Sequence, residues 1–319
     1  MICTVSLNPA VDKYIRLPQL RKGEHQEAEE AVTSAGGKAV NVAGVLRALG
    51  EEVTLLGFFG GFTGAYLERE IEREGTRLES VPIQALSRTA FVLVEADGTE
   101  TEIVEPGGRV EANELEELRW RLRRLAAEAT LVMLSGSVPP GCPDDVYARL
   151  IADCGDHCPV LLDTSRVWLA AALRDGLRKP TVIKPNRREA EELLGRSLLR
   201  PDDFAQALLQ LRHRGIALPL ISDGANGMYL GASEGILGAS APRVPRINSV
   251  GSGDAALAGF AAAMARGQVP EDCLRLAVAC GTANVLTKEC AQVLPGDVER
   301  LLPQVQTKML PRSDARGQS

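Results

Sequence analysis

The sequence predicts an α/β protein, a mostly parallel sheet with helices on both faces. Three observations predict it. Short apolar runs alternate with helix-patterned stretches along most of the 319 residues. Several of those stretches stop at a glycine (Gly50, Gly75 and Gly195), the residue that most often closes a helix. Small polar, lysine-bearing or glycine-rich motifs follow directly after apolar runs, and a parallel sheet collects its ligands at the carboxyl ends of its strands.

In chain order, residues 2–7 read as a strand, 40–49 as a helix, 53–57 as a strand and 64–74 as a helix. Strands follow at 131–134, 160–162, 181–183 and 218–222, and helices at 143–152, 167–173, 188–194 and 204–212. The alanine-rich run 255–265 is a further helix, and Glu271 and Asp272 after Pro270 look like a helix start. Two segments break the rhythm. Residues 12–33 are polar, with Tyr14-Ile15-Arg16 extended, and 88–104 read as a hairpin turning at Asp97-Gly98. Both are expected to be strands of a small accessory sheet inserted at about 12–34 and 86–106, serving as an active-site lid or a dimer surface. The polar tail 311–319 reads as disordered, which leaves residues 1–310 as one folded unit.

Composition narrows the function. With 45% hydrophobic residues the chain has ample material for a core. A net charge of -6 supplies no basic field for nucleic acid, and Arg119, Arg121, Arg123 and Arg124 fall on a solvated helix face. Seven scattered cysteines do not form a disulfide framework, and Cys154-x-x-x-Cys158 lacks the second pair that a zinc site needs. No apolar run reaches membrane-spanning length and no basic segment precedes an apolar one at the N-terminus, so a cytoplasmic protein without membrane partners is expected.

The loop Ser249-Val250-Gly251-Ser252-Gly253-Asp254 carries the clearest chemistry. Glycines one residue apart let N–H groups converge without Cβ atoms in the way, and the helix behind them offers a positive dipole end to a phosphate or a developing oxyanion. A carboxylate there would repel a phosphate that is merely held. It makes sense where a hydroxyl loses a proton as a phosphoryl group arrives. Two plainer readings stand beside this one. Asp254 satisfies the helix dipole, or Gly251-x-Gly253-x-x-Ala256 is a dinucleotide loop. The dinucleotide loop needs a buried strand before it, and Pro242 and Pro245 make 242–248 a poor one.

Other motifs keep the same company. Gly36-Gly37-Lys38 with Asn41 precedes a helix and places a point charge near a possible phosphate, or is a glycine turn with a surface lysine. Lys184-Pro185-Asn186-Arg187-Arg188-Glu189 puts a lysine, an amide and a carboxylate at a strand-to-helix junction. Asn186 and Glu189 make a capping box or a water-mediated magnesium site. Asp12 ends the first strand motif, where it accepts from sugar hydroxyls or caps a turn; Ser135-Gly136-Ser137 ends another; and 222–227 is a tight turn between two strands.

As an ordered set these motifs resemble the ribokinase-like (PfkB) carbohydrate kinases, in the branch containing 1-phosphofructokinase and tagatose-6-phosphate kinase. The residues that carry the resemblance are Leu7-Asn8-Pro9-Ala10-Val11-Asp12, Gly36-Gly37-Lys38 with Asn41-Val42-Ala43, and Gly57-Phe58-Phe59-Gly60-Gly61-Phe62-Thr63-Gly64. Ser135-Gly136-Ser137-Val138-Pro139, the stretch from Lys179 to Asn186 with Glu189, and Val250 to Asp254 with Ala258-Gly259-Phe260 complete it. The resemblance implies a ribokinase-like three-layer α/β/α sandwich with a small β-sheet lid. It also implies transfer of the ATP γ-phosphoryl group to a ketohexose monophosphate, with Mg²⁺, a monovalent cation, and a homodimer formed through the lid.

Residue by residue, the resemblance makes Asp254 the general base and gives the anion hole to Gly251, Ser252 and Gly253. It assigns the sugar phosphate to Asp12, Gly37, Lys38, Asn41, Arg88 and Ser137. Lys184, Asn186, Ser222, Gly224, Gly227 and Asn284 would meet the nucleotide, and Asn186 and Glu189 the magnesium. Ala39, Ser252 and Ala90 depart from residues common in the family, so the identity of the sugar stays open. Two other functions fit the same fold, a kinase for an unphosphorylated sugar or nucleoside and a non-catalytic sugar-phosphate sensor. Lys38 and Arg88 speak against a neutral substrate, and the retained Asp254, Lys184 and Glu189 against a sensor.

Overall fold

The computed structural model describes residues 1–310; the tail read as disordered lies outside the described residues. The chain opens with strands β1 (Ile2–Ser6), β2 (Ala10–Leu17) and β3 (Glu30–Gly36), then α1 (Lys38–Ala48), β4 (Val53–Phe59), α2 (Gly61–Arg73) and β5 (Arg77–Pro82). A hairpin follows, β6 (Arg88–Glu95) and β7 (Glu100–Val104). Next come α3 (Ala112–Ala126), β8 (Leu131–Ser135), α4 (Val146–Asp153), β9 (Val160–Asp163), α5 (Arg166–Ala172), β10 (Val182–Ile183), α6 (Arg187–Leu194) and α7 (Pro201–His213). The chain finishes with β11 (Leu218–Ser222), β12 (Met228–Gly231), β13 (Ile236–Ser240), α8 (Ser252–Ala265), α9 (Pro270–Asn284), α10 (Pro295–Leu301) and β14 (Gln306–Leu310).

Ten strands form the central sheet in the order β14-β13-β12-β11-β10-β9-β8-β1-β4-β5. From β5 to β11 every pairing is parallel, and β11 to β14 pair antiparallel. The parallel strands are buried on both faces, and their side chains divide between two cores with a period of two. Leu131, Met133 and Leu161 join the core under α1, α8 and α9, whereas Val132, Leu134, Val160 and Leu162 join the one under α3, α4 and α7. A separate four-stranded sheet has the order β3-β2-β6-β7, with β2 and β6 parallel and the outer pairs antiparallel. The expected mostly parallel sheet, with helices on both faces and a small second sheet, is therefore what the chain forms.

The differences lie at the margins. β5, β13, β14 and α10 were not legible in the sequence. β5 and β14 are the two edges of the sheet, open to solvent on one side, so Arg77–Pro82 and Gln306–Leu310 lack a continuous apolar run. β13 is short and carries Gly238. α4 begins at Val146, not at 143, because the preceding residues form a turn in which the Val146 N–H donates to the Pro143 carbonyl. α8 begins at Ser252, which makes Ser252, Gly253 and Asp254 its first turn.

Candidate active site

A cavity of about 1090 Å³ lies at the carboxyl ends of the parallel strands. Its floor is the strand ends at Ser6, Ser135, Lys184 and Ser222; its walls include the N-termini of α1 and α8; and Asp12, Tyr14, Ala90, Val92 and Glu102 of the small sheet line it from above. The volume slightly exceeds the ~300–1,000 Å³ of an ordinary small-molecule pocket, which suits two ligands held side by side. Every residue assigned to a ligand by resemblance lines this cavity except Asn284.

Asp254 sits in the first turn of α8, only 6% exposed. Gly251 caps that helix with φ +81°, and a Cβ there would come within 2.3 Å of the Ala291 backbone nitrogen, so the close turn needs glycine. Asn41 Nδ2 donates to Asp254 Oδ2 at 2.9 Å. Burial raises the carboxyl above its ordinary value; Lys38 opposes the shift, Asp163 adds to it, and the Asn41 bond and Lys184 oppose it. The result is a buried carboxylate of raised basicity at the positive end of a helix.

Behind it lies a charge cluster. Asp163, at the end of β9 and 1% exposed, takes Lys38 Nζ at 3.2 Å and Lys184 Nζ at 3.5 Å on the same Oδ2. Burial favours neutral Asp163, but the two lysines outweigh it and hold the carboxyl below its usual range. Burial likewise opposes the Lys38 charge; Asp163, Asp254 and Glu189 more than offset it and hold the ammonium charged well above its ordinary range. Lys38 is thus partly committed to Asp163, which counts against the alternative of a plain surface lysine on a glycine turn, and its side chain keeps 40% exposure at the cavity wall.

At the lid end, Asp12 reaches back over β3. Its carboxylate lies where a Cβ on Gly36 would be, and the Gly37 N–H bonds it. Burial pushes Asp12 up to about 7, against the pull of Arg88. Arg88 Nε donates to the Asn8 carbonyl at 3.1 Å, and Asn8 Nδ2 donates to Ser137 Oγ at 3.1 Å, so sheet and lid are tied together there.

At the other end, Asn186 and Glu189 make both bonds of a capping box at 2.9 Å. One Glu189 oxygen is occupied by the Asn186 N–H, and Glu189 still lines the cavity near Lys38. Among the described residues no group of three or more His, Cys, Asp or Glu could hold a metal. A single cavity-lining carboxylate is still compatible with magnesium, which keeps several waters and takes only one or two protein carboxylates. Ser222, Gly224 and Gly227 form the turn between β11 and β12.

Asn284 requires a correction. It is fully buried at the end of α9, away from the cavity wall. Its Nδ2 donates to the Val250 carbonyl at 3.0 Å and to Ser252 Oγ at 2.9 Å, so it braces the Gly251–Gly253 loop from behind and does not line the cavity.

Several groups of the site are not marked by the sequence. Asp163 stands behind the cavity lining, and its ion pairs are not legible in sequence because its two lysines come from α1 and from the chain after β10, 125 and 21 residues away. Tyr14 lines the cavity beside Asp12, and the period-two spacing of the two on an extended segment is the sequence signal for that shared face. Arg243 and Arg246, in the proline-bearing segment before α8, also line the cavity, and no sequence signal marks Glu102 or Cys290.

Comparison with known proteins adds to this geometry. The pfkB family carbohydrate kinase profile matches residues 3–296. A 1-phosphofructokinase from Borreliella burgdorferi is 33% identical over 309 residues, covering 97% of this chain and 98% of that protein. A tagatose-6-phosphate kinase from Staphylococcus epidermidis is 30% identical over 308 residues, covering 96% and 99%. Among solved structures, phosphofructokinase-2 from Escherichia coli in complex with potassium matches with a TM-score of 0.89 at 26% identity, covering 95% of this chain and 98% of that one.

Proposed function

The chain belongs to the pfkB family of carbohydrate kinases, and from that premise we propose that it uses ATP to phosphorylate a ketohexose monophosphate to the bisphosphate, as its 1-phosphofructokinase and tagatose-6-phosphate kinase relatives are named for doing. One observation carries the reading. Asp254 is a buried carboxylate of raised basicity at the N-terminus of α8, in the same cavity as Lys38, Lys184 and Arg88.

In this reading Asp254 takes the proton from the sugar hydroxyl as it attacks. Asn41 keeps the base aimed, and the Gly251–Gly253 loop at the N-terminus of α8 offers its backbone to the charge that develops on the transferred phosphoryl, the Ser252 N–H being shared with the Ser249 carbonyl. Lys184, fixed by buried Asp163, presents a cation to the same group. Asp12, Gly37, Lys38, Asn41, Arg88 and Ser137 hold the sugar phosphate, and Asn186 with the 222–227 turn holds the nucleotide. Glu189 and Asn186 would hold Mg²⁺ through water, and the ion would supply neutralisation of phosphate charge. The small sheet acts as a lid that excludes water, within one kinase domain spanning 1–310, and pairs with the lid of a second copy in a homodimer.

A kinase for an unphosphorylated sugar is the competing reading, favoured by the acids around the lid cation. Burial lowers the Arg88 pKa, while Asp12, Glu102 and Glu105 crowd the same guanidinium. The deciding assay measures transfer from Mg-ATP to fructose 1-phosphate, tagatose 6-phosphate, fructose 6-phosphate and fructose. It is run with and without potassium, the ion held by the Escherichia coli neighbour. One phosphorylated sugar is expected to win by about a hundredfold in kcat/KM, ~2.7 kcal/mol of transition-state preference. Fructose winning would replace this reading with the competing one, and binding of a sugar phosphate without turnover would make the protein a sensor.

A further inference from the structure

The hydrogen bonds of Asn41 extend past the base. Its Nδ2 carries two hydrogens, and it donates to Asp254 Oδ2 at 2.9 Å and to Cys290 Sγ at 3.5 Å. Cys290 lies between α9 and α10, outside every helix and strand, and lines the same cavity. The Tyr14 hydroxyl meets the thiol from the lid strand β2. The next residue, Ala291, holds a left-handed φ of +50°, and its backbone packs against Gly251. A non-glycine residue keeps such a conformation only where its surroundings enforce it. The path that presents the thiol is therefore braced against the oxyanion loop.

We propose that Cys290 is a positioning residue for phosphoryl transfer: by accepting the second amide hydrogen of Asn41, it keeps the Asn41 amide nitrogen, and not the carbonyl oxygen, aimed at the Asp254 carboxylate. The proposal deepens the kinase reading and rests on it. An asparagine held by one acceptor alone can turn over by half a rotation, which would set Oδ1 against the carboxylate and lose the donor. With the sulfur and the carboxylate both on the Nδ2 side, one orientation satisfies both. The thiol stays neutral in this role, since burial, with Asp254 adding to it, pushes it up to about 12. It therefore places no second negative charge beside the base. The other groups facing Asp254 are Lys38 of α1, Asp163 at the end of β9, Lys184 after β10 and Asp12 of the lid. All of them stay in place when only Cys290 is changed.

The test uses Cys290→Ala, which removes the acceptor, and Cys290→Ser, which keeps one of similar size. In Cys290→Ala, kcat is expected to fall roughly fivefold, the worth of about one net hydrogen bond. The KM for ATP should stay as it is, and the acid limb of kcat should move to higher pH, because Asp254 loses a donor that favours its charged form. Cys290→Ser should restore both. An unchanged kcat and acid limb in Cys290→Ala would overturn the proposal. So would a serine variant as impaired as the alanine one, which would mean that the sulfur only fills space. Carbon-13 titration of the Asp254 carboxyl gives the same decision without turnover. It should shift upward in Cys290→Ala and not in Cys290→Ser, and an unshifted alanine variant counts against the proposal. If the wild-type protein phosphorylates no hexose phosphate, the kinase reading alone falls, and the titration still decides the role of Cys290.

Discussion

At Asp254, burial and neighbouring cations pull in opposite directions, and burial prevails. The chemical consequence is a stronger base, whose acid limb in the kcat profile lies above the ordinary carboxylate pKa of ~4. The stability consequence has a definite sign. With its folded pKa above its unfolded one, the native state binds more protons in the interval between them, so stability falls as pH rises through that interval. Asp254→Asn should therefore raise Tm at pH 7.5 while lowering kcat by roughly 10²–10⁴-fold and leaving ATP affinity nearly intact. If Asp254 served only the helix dipole, the same variant would lose stability and keep its turnover; calorimetry and a kinase assay on one preparation separate the two. The residue type and its place in a glycine loop were legible in the sequence. Its raised basicity was not, because it comes mainly from burial under the assembled fold, with Lys38, Asp163 and Lys184 reaching it from three other elements to oppose or add to the shift.

At the scale of elements, the start of α8 shows two glycines with different duties. Gly251 needs a left-handed φ and has no room for a Cβ against Ala291, whereas a Cβ at Gly253 would meet only the flexible tip of Lys184 at 3.3 Å. Gly251→Ala is expected to destabilise the protein by at least ~2 kcal/mol, from backbone strain and the clash together. Gly253→Ala should leave stability within ~1 kcal/mol, since alanine favours the helix, yet depress kcat by crowding the lysine that faces the phosphoryl group. Urea denaturation and turnover of the two variants check this, and equal stability losses would refute the division. The sequence treated the two glycines alike, because the spacing of a motif does not say which one carries the positive φ. Asn186 and Glu189 were the reverse case. The capping box was fully legible because it is local, formed within one turn by residues three apart.

Across the whole molecule, the small sheet is the part with unfinished surface. Val32 on β3 and Ile103 and Val104 on β7 leave apolar side chains exposed on its two edge strands. If the lid forms the homodimer proposed above, the protein should run as a dimer in light scattering. Ile103→Glu should then shift it toward monomer and raise the KM for the sugar phosphate more than that for ATP. A monomeric wild type would remove the dimer. The sequence by itself determined the layered α/β class, the buried parallel strands, the hairpin of the second sheet and the order of the strand-end motifs. Each of these rests on a local signal: hydrophobic period, glycine stops or turn chemistry. Only the tertiary structure decided that Lys38 is held by Asp163, that Asn284 braces a loop from inside the core, and that Cys290 stands beside Asn41. Those relations join residues dozens to hundreds of positions apart, and they exist only once the sheet has ordered its strands and closed the lid above their ends.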